Sequence, residues 1–111
     1  GSRLNIDWHV AGDPPRGDVK LAFLIIQCVE TALPYGGTVT VTKGDSQWTI
    51  DGRADKLKLD PKTWAVLSDP SGGSQEITAP NVQFALAPET AALLGRTIHV
   101  TSTEESVSIS F

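Results

Sequence analysis

At 111 residues the chain is long enough for one domain and too short for two ordinary ones, and a domain of this size buries roughly 65% of its unfolded surface without a metal or disulfide. Its formal net charge of −4 argues against nucleic acid, whose phosphates require a basic face. The single Cys28 cannot form an internal bridge, no Cys/His cluster has zinc spacing, and no signal peptide or apolar run approaching the roughly 18 residues of a membrane span is present; a cytoplasmic protein with no metal, no nucleic acid and no membrane partner is expected.

In chain order, "RLNIDWHV" alternates cleanly, with Leu4, Ile6, Trp8 and Val10 on one face and Arg3, Asn5, Asp7 and His9 on the other. That pattern predicts a strand with its apolar face buried. "AGDPPRG" reads as a loop, because two prolines remove amide donors and fix the backbone. "DVKLAFLIIQCVETAL" is too long for a buried strand and predicts a helix over residues 18–33, with Asp18 as its N-cap. "PYGG" stops it, since Pro34 cannot continue a helix and glycine suits the left-handed cap.

"TVTVTKGDSQWTIDG" reads as a hairpin turning at "KGDS", with Val39, Val41, Trp48 and Ile50 inward and Thr38, Thr40 and Thr42 outward. "LDPKTWAVLS" predicts a short helix capped by Asp60, with Pro61 in its first turn. "DPSGGSQ" reads as a flexible loop. Residues 77–95 predict a helix ending at Gly95, kinked or split in two by Pro88. "RTIHVTSTEESVSISF" closes the chain as a second hairpin, with Ile98, Val100, Val107, Ile109 and Phe111 inward. Five strands, each with one polar face, and helices enough to cover the other face predict a two-layer α/β sandwich built on one mixed sheet.

The chain has no methionine and begins Gly1-Ser2. This leads us to expect a cloning scar at residues 1–2, a single domain over residues 3–111, and a longer parent protein from which this fragment is cut.

The segments "LAFLIIQCVETALPYGGTVTV" and "ALLGRTIHVTSTEESVSISF" resemble the ATP-binding domain of histidine kinases, which places a long helix, a Pro-x-Gly-Gly turn and a strand in that order. More closely, "ALPYGGTVTV", "LDPKTWAVL" and "ITAPNVQFALAPETAALLG" make the chain similar to the C-terminal domain of ChpT-type histidine phosphotransferases. The resemblance spans Arg3 to Phe111 and rests on the ordered set rather than on any one motif. It implies a two-part parent protein. An N-terminal helical hairpin dimerises and carries the phosphorylated histidine. The C-terminal part is a kinase-like domain that has lost ATP and its lid, so no cofactor is implied. The family relays phosphoryl groups in a bacterial cell-cycle phosphorelay, from the receiver domain of a hybrid histidine kinase to response regulators.

Residue by residue, the resemblance implies a broken nucleotide site. Counting back from Gly36-Gly37, the metal-holding Asn of a working kinase domain falls at Cys28, and a thiol is a poor Mg²⁺ ligand. The adenine segment Asp-x-Gly-x-Gly survives only as Asp51 and Gly52 in "IDGRAD", without its second glycine. No glycine-rich lid follows; "DPKTWAVL" stands in its place. Two rivals stay open: an active ATPase or anti-sigma-type kinase, separable by bound nucleotide, and an interaction domain with no phosphorelay role.

His9 and His99 fall on polar strand faces, whereas a phosphoacceptor projects from a helix, so no catalytic residue is assigned. Cys28 reads as a small buried hydrophobe rather than a nucleophile. Phe23 projects within the polar stripe of the long helix, either as a partly covered aromatic or as a contact to the helical bundle or a docked receiver. With every apolar strand face assigned to the core, the chain is expected to be a monomer and its parent a homodimer.

Overall fold

The computed structural model describes residues 3–68 and 81–111. Gly1, Ser2, the loop expected at residues 69–75 and the first residues of the expected last helix, 77–80, lie outside them. In order, the elements are β1 (Leu4–His9), α1 (Arg16–Thr31), β2 (Gly37–Lys43), β3 (Trp48–Arg53), α2 (Pro61–Ser68), α3 (Gln83–Leu93), β4 (His99–Ser102) and β5 (Ser106–Ser110). The strands form one sheet in the order β1-β2-β3-β5-β4. β1 runs parallel to β2, and every other pairing is antiparallel. The mixed five-stranded sheet with one helical layer is the expected architecture.

The core lies between that layer and one face of the sheet. Leu21, Ala22, Ile25, Cys28 and Val29 of α1 are fully buried, as are Val39, Val41, Ile50, Val107 and Ile109 beneath them. Each Ile or Leu buried this completely contributes about 2 kcal/mol. α2 and α3 close one end, where the Trp64 and Phe84 rings meet edge to face with centroids 5.3 Å apart. Asp60 caps α2 as expected: its Oδ1 accepts from the Lys62 amide at 3.2 Å and its Oδ2 from the Thr63 hydroxyl at 2.9 Å.

Three expectations change, and a fourth, a kink or a split at Pro88, is narrowed. Asp18 is not the cap of α1, which begins two residues earlier after Pro15 with no side-chain cap. Asp18 is instead buried and paired with Arg96, 78 residues away. α1 ends at Thr31 rather than residue 33, its last turn closing through Ala32. α3 runs through Pro88 as one helix rather than splitting, and Pro88 is buried within it. Finally, the apolar face of β1 is not buried: Ile6 is 48% and Trp8 39% exposed. β1 is an edge strand, and although Ile6 and Trp8 lie beside the fully buried Val39 and Val41, α1 covers Trp8 only in part, through the half-exposed Phe23 ring.

Candidate functional site

The Pro-Tyr-Gly-Gly turn joins α1 to β2 and is held by backbone. Gly36 N–H donates to the Leu33 carbonyl at 3.0 Å, and Gly37 N–H donates to the Arg3 carbonyl at 2.9 Å. Gly36 has φ +96°, a conformation that side chains resist. A Cβ there would stand 2.5 Å from the Arg3 carbonyl oxygen, and one at Gly37 would strike the Arg53 carbonyl oxygen. The paired glycines therefore let β1, β2 and β3 converge. The turn has a structural cause that is independent of any nucleotide.

The three positions of the implied nucleotide site do not share one space. Cys28 has no exposed surface and sits in the helix–sheet core. Burial pushes its thiol well above the usual range, so at neutral pH it is neither a nucleophile nor a metal ligand. Gly52 faces the same core; a Cβ there would lie 2.5 Å from Val29 Cγ1 and 3.3 Å from Val107 Cγ1. Its glycine lets α1 press onto β3. Asp51 alternates with Ile50 and Gly52 along β3, so its carboxylate lies on the uncovered face of the sheet, beside Thr40 and Ser108. Sheet and core thus separate Asp51 from Cys28.

The two histidines are equally far from each other. His9 pairs with Thr42 at one sheet edge and His99 with Ser110 at the other. Four strand spacings put them about 19 Å apart. Both are exposed on strands, and among the described residues no group of three or more metal-ligating side chains exists.

Two surfaces carry character. The first is apolar. Phe23 is 54% exposed, and its ring centroid lies 5.7 Å from that of Trp8, which meets Trp48 at 5.8 Å. Arg16, Lys20 and Gln27 border Phe23 on the outer face of α1. Because Phe23 stands outside the core, Phe23→Ser is expected to lower the melting temperature only slightly, by less than about 1 kcal/mol of stability. Thermal unfolding followed by circular dichroism checks this; loss of cooperative unfolding would place Phe23 in the core.

The second surface carries exposed cations that were not singled out in the sequence, where "IDGRAD" was compared with an adenine segment. Arg53, Lys56, Lys58 and Lys62 are all exposed around the β3–α2 connection. They are four of nine Lys and Arg residues in an acidic chain; the exposed Asp55 and Asp60 lie among them, so the surface keeps a modest positive excess. Beside them opens a cleft of about 540 Å³ lined by Tyr35, Gly36, Gly37, Arg53, Asp55, Lys56 and Glu105, among others. The charge run itself was the available signal.

No helix among the described residues is long and apolar enough to cross a membrane. Comparison with known proteins places this geometry. A family model described as the histidine phosphotransferase C-terminal domain matches residues 1–106. In fold the chain is similar to the structure of a bacterial phosphotransferase, with a TM-score of 0.77 and 24% identity over 97% of this chain and 55% of that one. It is also similar to full-length ShkA in complex with AMPPNP, with a TM-score of 0.57 and 13% identity over 97% of this chain and 25% of that one. The chain thus spans about half of the first protein and a quarter of the second. No curated protein matches it.

Proposed function

The chain belongs to the histidine phosphotransferase C-terminal domain family, and from that premise we propose that it serves a His–Asp phosphorelay as a docking module that binds no nucleotide. The observation that carries this reading is the closed core at Cys28. Where a metal-holding side chain would have to reach a phosphate, a fully buried thiol packs against the sheet. The site positions Cys28, Asp51 and Gly52 then keep a shape without its ligand. In this reading the phosphoryl group is carried on a histidine outside this chain, in the N-terminal part of the parent, since His9 and His99 sit on strand edges.

The partners we propose are receiver domains, of a hybrid kinase and of response regulators. A receiver presents an acidic phosphoacceptor pocket; Arg53 and Lys56 in the Tyr35 cleft, with the exposed Lys58 and Lys62 further along the β3–α2 connection, supply positive charge that Asp55, Asp60 and Glu105 partly offset. Such a rim sets association rate and orientation more than raw affinity. Phe23 is proposed as a contact to the remainder of the parent.

The test is a double charge reversal, Lys56→Glu with Lys58→Glu. Both side chains are exposed, so folding should be preserved. Affinity for a cognate receiver, measured by titration calorimetry at low salt, should fall about ten-fold, or roughly 1.4 kcal/mol, with most of the loss in the association rate. Unchanged affinity and unchanged rate would remove this surface from the docking account.

A further inference from the structure

Among the described residues, β1 leaves one backbone edge unpaired in a sheet whose other apolar strand residues are buried or half-buried. Ile6 and Trp8 stand exposed on its helix side, so the ground for expecting a monomer, that every apolar strand face is used by the core, no longer holds. On the opposite face β1 alternates Asp7 and His9, both exposed. An unpaired edge of this kind is a template for another strand.

The residue order selects the occupant. If two copies of β1 pair antiparallel about a two-fold axis at Trp8, then Trp8 faces Trp8 and Ile6 faces Val10. Asp7 faces His9, and by symmetry His9 faces Asp7. A two-fold axis perpendicular to the sheet keeps both helical layers on one side, so the aromatic pair joins the Phe23–Trp8 contact of each copy. The acid–imidazole pairs fall on the open polar face. Moving the register to centre on Asp7 sets two carboxylates opposite each other, which is unfavourable. Centring it on Ile6 leaves Asp7 opposite Asn5 and brings no acid–imidazole pair.

We propose that this domain self-associates through β1, as an antiparallel two-fold pair centred on Trp8 that extends two five-stranded sheets into one. The interface is separate from the basic surface at Arg53 to Lys62 and does not depend on the docking role.

Cysteine crosslinking reads the register directly. Cys28 is buried and does not compete. Cross-strand partners lie about 5 Å apart, within disulfide reach. Trp8→Cys should therefore give a disulfide-linked dimer under mild oxidation, and Ile6→Cys, which would face Val10, should give little. Light scattering of the unmodified chain at high micromolar concentration should show a dimer that Trp8→Lys abolishes without changing the circular dichroism spectrum. Asp7→His alone should weaken association, and Asp7→His combined with His9→Asp should restore it, because the exchanged pair is the same pair. A monomer at every concentration would overturn the proposal. So would a dimer insensitive to Trp8→Lys, or stronger crosslinking through Ile6→Cys than through Trp8→Cys.

Discussion

Arg96→Ala is expected to lower the stability of the domain by about 3 kcal/mol and its melting temperature by about 12 °C or more. Arg96 donates from Nε to Asp18 Oδ1 at 2.9 Å and from Nη2 to Oδ2 at 2.8 Å. The side chains are only 21% and 9% exposed. Nη1 also donates to the carbonyls of Phe111 at 3.1 Å and Ser46 at 3.3 Å, and the guanidinium carbon lies 5.7 Å from the Phe111 ring centroid. One side chain thus ties the start of α1, the β2–β3 turn and the end of the last strand. Removing it leaves the Asp18 carboxylate buried and unpaired, which costs more than the pair itself contributes. Arg96→Lys should recover only part of the loss, because an ammonium cannot form the two parallel bonds. Calorimetric unfolding decides; a change under about 1 kcal/mol would mean that water reaches the pair and screens it.

Gly37→Ala is expected to be at least as costly, about 3 kcal/mol or more, and to leave little folded protein at physiological temperature. The added Cβ would strike the Arg53 carbonyl oxygen of β3 and lie 3.1 Å from Ala54 Cβ, in a residue with φ 152°. The obstacle is backbone inside the sheet, which cannot rotate away as a long side chain would. Gly44→Ala is the control. Its Cβ would meet only the Gln47 carbonyl oxygen at 3.7 Å, and no positive φ is required there, so stability should be nearly unchanged. Equal effects at the two positions would contradict the structural account of the turn.

These residues also mark what the sequence could reveal. The β2–β3 hairpin and the Asp60 cap were legible because their causes are local: alternation, a four-residue turn, an oxygen two and three residues before its donors. Asp18 was misread because a carboxylate at the head of a helix satisfies the capping pattern. Its real partner, Arg96, lies 78 residues on, and no local rule reaches that far. β1 was read correctly as a strand and incorrectly as covered, because alternation shows which residues share a face and not whether a helix lies over it. α3 stayed whole through Pro88 because tertiary burial offsets one lost amide bond. In the site, Cys28 stood out as a departure from a motif, and Asp51 and Gly52 as what was left of one. The shared core of Cys28 and Gly52, and Asp51 on the far side of the sheet, followed only from the pairing register.

The nucleotide question has the most direct measurement: the melting temperature with and without ATP and Mg²⁺. A site filled at about 100 times its dissociation constant stabilises the fold by about 2.7 kcal/mol, which in a domain of this size raises the melting temperature by about 10 °C. The account predicts no such shift. It predicts none for Cys28→Asn either, which should only destabilise, because the amide would enter a fully buried apolar position. A reproducible rise of several degrees in the unmodified domain, saturating with ATP concentration, would contradict the reading of a nucleotide-free docking module.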